Sequence, residues 1–139
     1  MDSNLKREAL YLSISKSMES AAELTWGMDD CGMWCGDIFK EALGYDPVER
    51  FRGRYKTRIG AKRVLGSGGL PAAIRAISRK YGWHHIKEGD EQSGDIGIVE
   101  INGVPSTVIC RAPGWFIGRN DFGWTALQSS AVRVMWSVI

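Results

Sequence analysis

Up to about Trp83 the apolar positions recur mostly at three- and four-residue intervals, and after it they fall into short runs broken by turn residues. In the first part, Leu5, Ala9 and Leu12, with Tyr11, Ile14 and Met18 nearby, predict a first helix with Asp2 or Ser3 as its N-cap. Leu24–Met28 reads as a loop ending at Asp29-Asp30. A second helix is expected from Cys31 to Leu43, with Asp30 capping its free N–H groups and Gly44 just past its end. Asp46-Pro47 reads as N-cap and first residue of a short helix through Arg52, stopped by Gly53. Thr57 caps another through Leu65, Gly66-Ser-Gly-Gly is a flexible break, and Pro71 opens a helix that Gly82 ends.

The second part predicts strands at 83–87, 95–101, 106–111, 114–118, 123–127 and 133–139. Asn102-Gly103 between β-branched runs is the sharpest turn signal and favours a type I′ hairpin. Helices first (1–82) and strands afterwards (83–139) make an α+β fold within one domain over 1–139, with a small antiparallel sheet or half-barrel.

Composition adds little to this picture and removes several alternatives. The chain has 139 residues, 44% of them hydrophobic and 24% charged, as expected for a globular domain. Eighteen Lys+Arg against 16 Asp+Glu leave a net charge of +2, too small to point to nucleic acid. No run approaches the ~18 apolar residues of a membrane helix, and the charged start Met1–Glu8 is not followed by a signal-peptide core. The expectation is a chain made in the cytoplasm, with neither a membrane nor nucleic acid as partner. The basic segment Arg50–Arg63 reads as a solvated or protein-facing surface.

The candidate chemistry lies in the three cysteines. They cannot close a disulfide framework. Cys31 follows Asp29-Asp30 at a helix start, where unpaired N–H groups favour a thiolate. A nucleophile there also needs a base. The two histidines, His84 and His85, are adjacent in a strand, so at most one can face Cys31. Cys31 and Cys35 share a helix face and Cys110 lies on a strand. Without a Cys-x-x-Cys pair, all three read as buried small hydrophobes, and no metal or cofactor is expected. The six tryptophans fit core and interface equally well.

The run Thr25-Trp-Gly-Met-Asp-Asp-Cys-Gly-Met-Trp-Cys-Gly-Asp, then Gly44-Tyr-Asp-Pro, Phe51-Arg-Gly-Arg-Tyr-Lys-Thr and Gly60-Ala, resembles a family of small phage tail proteins. Gly94-Asp-Ile-Gly-Ile-Val and the segment Ala131–Val138 with Trp136 extend the likeness over nearly all of the chain from about residue 20. That family in turn is similar to NlpC-type peptidases, papain-like enzymes that cut cell-wall peptides. In those enzymes an Asp-Cys pair opens a helix, matching Asp30-Cys31. A Gly-Asp and an apolar strand follow, matching Gly94-Asp95 and Ile96–Val99. The catalytic histidine begins the next strand. Here that strand, Ser106-Thr-Val-Ile-Cys110, contains none, and neither Ser106 nor Thr107 has a pKa suited to a general base.

The resemblance therefore implies a degenerate papain-like peptidase with Cys31 at the vestigial nucleophile position. It implies a structural role in the phage tail tip, in the virion, beside the tail hub and distal tail proteins and further copies of the chain. The alternative is an active cell-wall cysteine peptidase or amidase with Cys31 as nucleophile and His84 or His85 as base.

Overall fold

The computed structural model describes residues 2–20 and 24–139. Met1 of the charged start, and residues 21–23 where the family likeness begins, lie outside the described residues. Four α-helices come first: α1 (Ser3–Ser17), α2 (Cys31–Leu43), α3 (Arg58–Leu65) and α4 (Gly69–Tyr81). Six strands follow: β1 (His84–Ile86), β2 (Ile96–Ile101), β3 (Val104–Ala112), β4 (Trp115–Arg119), β5 (Trp124–Gln128) and β6 (Val134–Ser137). They form one antiparallel sheet in the order β1-β6-β2-β3-β4-β5. β2 to β5 are a meander, and β6 returns to fill the gap between β1 and β2.

The helix ends follow from their capping residues. Asp2 accepts from the Leu5 N–H at 2.9 Å, and Thr57 accepts from the Gly60 N–H at 3.0 Å. Asp30 caps α2, and Gly44 closes it with φ +82°. Asn102 and Gly103 both take positive φ, 52° and 78°, in the two-residue turn joining Ile101 to Val104. This is the type I′ geometry expected of Asn-Gly.

Two expected helix limits differ. α4 reaches back to Gly69, so Pro71 stands in its first turn instead of opening it. The helix expected from Asp46 through Arg52 is only a 3-10 turn, Glu49–Phe51. One Asp46 carboxylate oxygen accepts from the Val48 N–H at 3.1 Å, and the other takes Arg52 Nε at 2.8 Å. This local side-chain bonding holds a turn where a helix would otherwise begin.

The sheet sorts its side chains by the two-residue period. One face, with Ile96, Ile98, Ile109, Ile117 and Trp136, packs under the helices against Leu10, Ile14, Trp34, Ile38, Phe39 and Ile77. The other face gathers Val99, Val108, Cys110, Phe116 and Met135, with Ile86, Leu127 and Val132. Each such fully buried side chain is worth about 1.5–3 kcal/mol against exposure. Of the six tryptophans, Trp34, Trp83 and Trp136 are buried core residues, whereas Trp115 is 47% exposed. The tryptophan excess is thus largely a packing feature.

α1 docks where Gly94 leaves room. A Cβ on Gly94 would stand 2.3 Å from Leu10 Cδ1, and its φ of +94° suits glycine alone. The neighbouring Asp95 then reaches Arg7 of α1 at 2.6 Å.

Candidate functional site around Cys31

The site is built from the start of α2 outward. Asp30, 2% exposed, accepts four hydrogen bonds. Its Oδ1 takes the N–H groups of Gly32 (3.1 Å) and Met33 (2.9 Å), and its Oδ2 takes the Gly27 N–H (2.9 Å) and the Tyr55 hydroxyl (2.6 Å). Gly27 is required for this arrangement. Its φ is +84°, and a Cβ there would lie 2.0 Å from the Tyr55 carbonyl oxygen. The loop is braced on the far side by Asp29, which pairs with the buried Arg119 of β4 at 2.9 Å. Arg119 also donates to the carbonyls of Asn120 and Gly123 and lies over the Trp124 ring.

Cys31 follows this cap and faces β3. Burial pushes its thiol pKa up, and the Asp30 carboxylate pushes it further in the same direction. Hydrogen bonding from Thr107, through both backbone and side chain, and from the Gly32 backbone opposes this without reversing it. The expectation that a helix start lowers the pKa therefore fails here. The cap that satisfies the helix N–H groups is itself an anion next to the sulfur. Cys35, one turn on, is held well above the usual thiol range by burial and by its neighbour Cys31.

Tyr55 is the residue that sequence reasoning missed. Its pKa is raised, first by burial, then by its hydrogen bond to Asp30. The phenol stays protonated and acts as a donor. The available signal was the Phe51-Arg-Gly-Arg-Tyr run, which holds Tyr55 among charges that draw the eye first.

The histidines are not at the site. β1 is the edge strand, separated from β3 by β6 and β2, three strand spacings or about 14 Å from the Cys31 contact. His85 is on the helix-side face but lies against the Trp136 ring, centroids 5.0 Å apart, and His84 points the opposite way. Thr107 of β3, a strand without a histidine, stands near Cys31 on the same cavity wall as Ser106.

The three cysteines are not together either. Cys31 and Cys35 are on the helix side, whereas Cys110 is in the cluster on the opposite face of the sheet. Its thiol is pushed up to about 12 by burial, then by Asp95 and Glu91. Among the described residues no cluster of three or more His, Cys, Asp or Glu is placed to hold a metal ion. None of the described helices is long and apolar enough to cross a membrane.

Cys31 opens onto a cavity of about 460 Å³ between the start of α2, the α3–α4 pair and the β2–β3 hairpin. Its walls are mostly apolar, with Phe39, Leu65, Leu70, Ile74, Ile77 and Ile96 among them. The basic segment contributes to it unevenly. Arg52 is engaged with Asp37 (2.9 Å) and Asp46 (2.8 Å), Arg50 lies over the Phe51 ring, and Arg58 and Lys62 of α3 stand on the cavity wall.

No curated protein and no solved structure matches this chain. One family of sequences does, over residues 12–138, a span that takes in Asp30, Cys31, Tyr55, Thr107 and all six strands. The chain belongs to that family, which is described as a domain of unknown function (DUF6950).

Proposed function

We propose that the protein is a structural component of a phage tail tip, built on a papain-like, NlpC-type scaffold whose cysteine site is catalytically silent. The resemblance of the Thr25-to-Asp37 and Phe51-to-Thr57 runs to small phage tail proteins supports the tail role. The single observation that supports silence is the partner of Cys31: Thr107 occupies the contact of a base, and the thiol is held protonated by burial and by Asp30. A threonine hydroxyl cannot take a proton from a thiol near neutral pH, so no thiolate–imidazolium pair forms. Assembly with the tail hub, distal tail proteins and further copies of the chain is part of the same reading.

Cryo-electron microscopy of intact virions tests the tail role. The expected result is density for this fold at the tail tip, and a complete tail map without it overturns the role. Incubation of the purified protein with peptidoglycan tests silence separately. No stem peptide is expected to be released. Release by the wild type that a Cys31→Ser variant abolishes would establish the peptidase or amidase reading instead, with a base recruited from outside the contacts described above.

A further inference from the structure

We propose that the cavity beside Cys31 is a binding site for a small amphiphilic anion, an apolar body carrying one carboxylate, of which a medium-chain fatty acid is the simplest example. This goes beyond the tail reading and does not depend on it.

The cavity has the size of a small-molecule site. Its 460 Å³ falls within the roughly 300–1,000 Å³ such pockets occupy, and such pockets combine apolar walls with a few placed polar groups. The walls supplied by α4 (Leu70, Ile74, Ile77) and by Ile96 of the sheet are apolar and match an apolar ligand body, and the sheet's polar groups here are the neutral hydroxyls of Ser106 and Thr107. Charge selects the head group. The one carboxylate on the cavity wall among the described residues, Asp30, is buried and engaged by four donors, so it is not free to receive a cation. Arg58 and Lys62 are the two cations there. They lie four residues apart on one side of α3, are exposed, and have no ion-pair partner among the described residues. An apolar wall with two uncommitted cations at its rim and a satisfied acid inside complements a chain with an anionic end.

The test uses the full chain and sodium decanoate, with decanol and decyltrimethylammonium as probes of equal chain length and different head. Calorimetric titration is expected to show saturable 1:1 binding of decanoate. Decanol should bind about tenfold more weakly, because it forgoes two solvent-screened ion pairs, and the cationic probe more weakly still. Occupancy is placed in this cavity by Cys31 itself. At decanoate ten times its Kd, alkylation of the Cys31 peptide by N-ethylmaleimide, read by mass spectrometry, should slow about tenfold, since only empty protein reacts. The double variant Arg58→Gln, Lys62→Gln changes only exposed side chains. Its melting temperature is expected to be unchanged and its decanoate Kd to rise to that of decanol. Absence of saturable binding, binding that leaves Cys31 alkylation unchanged, or equal affinity for the three heads would each overturn the proposal.

Discussion

Two buried carboxylates, Asp30 and Asp95, stand one residue before the elements that define this fold, and they are satisfied in different ways. Asp30 receives only neutral donors: three backbone N–H groups and a phenol. Asp95 receives the N–H groups of Gln92 (2.9 Å) and Val138 (3.1 Å) and, in addition, the Arg7 guanidinium at 2.6 Å. Hydrogen bonds make both acceptable in the interior, but only Asp95 has its charge balanced. The negative charge of Asp30 remains and acts on Cys31, whose pKa it raises. Near Asp95 the thiol of Cys110 is raised as well, and there Arg7 works against the rise. One carboxylate is a balanced tie between α1, β2 and the C-terminal segment. The other is an uncompensated cap beside the residue that would have to ionise for chemistry.

The comparison breaks most sharply on deletion. Asp95→Ala strands the largely buried Arg7 charge and two N–H groups, and should cost about 3–5 kcal/mol. Asp30→Ala strands only neutral donors and loses a cap, and should cost about 2–3 kcal/mol. Urea denaturation of both variants measures the gap. The double variant Arg7→Met, Asp95→Asn should recover part of the Asp95→Ala loss, because the stranded charge is then absent. Equal losses for the two single variants would mean that charge balance does not distinguish the sites.

A third buried acid, Glu91, sharpens the comparison from the side of pH. It accepts from the N–H groups of Gly89 (2.6 Å) and Gly114 (2.8 Å) and from the Ser129 hydroxyl (2.7 Å). Burial pushes its pKa up, but these hydrogen bonds outweigh it and the net shift is downward. A folded pKa below the unfolded value of about 4.3 gives stability that is present above that value and is lost as pH falls through the folded one. Glu91→Gln should lower stability at pH 7 by roughly 2 kcal/mol and flatten the acid limb of the stability curve. Thermal melts between pH 3 and 7 read both effects. An unchanged slope would place the acid sensitivity elsewhere.

Much of this architecture is legible in the residues. Asp30, Gly44, Thr57, Gly82 and Asn102-Gly103 set element ends through short-range chemistry, and the structure places those ends where the spacing predicts them. The failures come from side chains that bond locally or at long range. Asp46 spends its carboxylate on Val48 and Arg52, which turns an expected helix into a turn. The site is less legible than the fold because its groups meet only in three dimensions. Tyr55 is 25 residues from Asp30, and Thr107 comes to Cys31 from across the molecule. Strand alternation already limits the histidines to one candidate face, but the strand order that carries them to the far edge depends on β6 inserting between β1 and β2. No local pattern announces that insertion.

The uncompensated charge of Asp30 can be removed while its shape is kept. Asp30→Asn retains a good N-cap at Oδ1 and removes the anion next to Cys31, while its amide NH2 can donate to the Tyr55 oxygen but leaves the Gly27 N–H without its acceptor. The thiol pKa should fall, as expected for loss of a nearby like charge. At a pH below the pKa the thiolate fraction then rises and alkylation quickens, by less than the rise in thiolate because a less basic thiolate is a weaker nucleophile. The pH profile of Cys31 alkylation supplies the pKa directly. No shift would mean that desolvation alone holds the thiol.

Thr107 gives the smallest and most specific effect. Its hydroxyl lowers the Cys31 pKa from the opposite side to Asp30, so removing it should move the thiol the other way. Thr107→Val keeps the β-branched shape in β3 and deletes the hydroxyl that favours the thiolate. Loss of that support should raise the thiol pKa and slow alkylation at fixed pH, by less than Asp30→Asn quickens it. Thr107→Ser restores the hydroxyl and should return the profile to that of the wild type, which a purely steric role for the threonine methyl would not do. Opposite shifts in Asp30→Asn and Thr107→Val, adding in the double variant, would establish that Cys31 sits between one group that suppresses its ionisation and one that supports it. A shift of the same sign in both would mean that packing, and not these two partners, sets the state of the thiol.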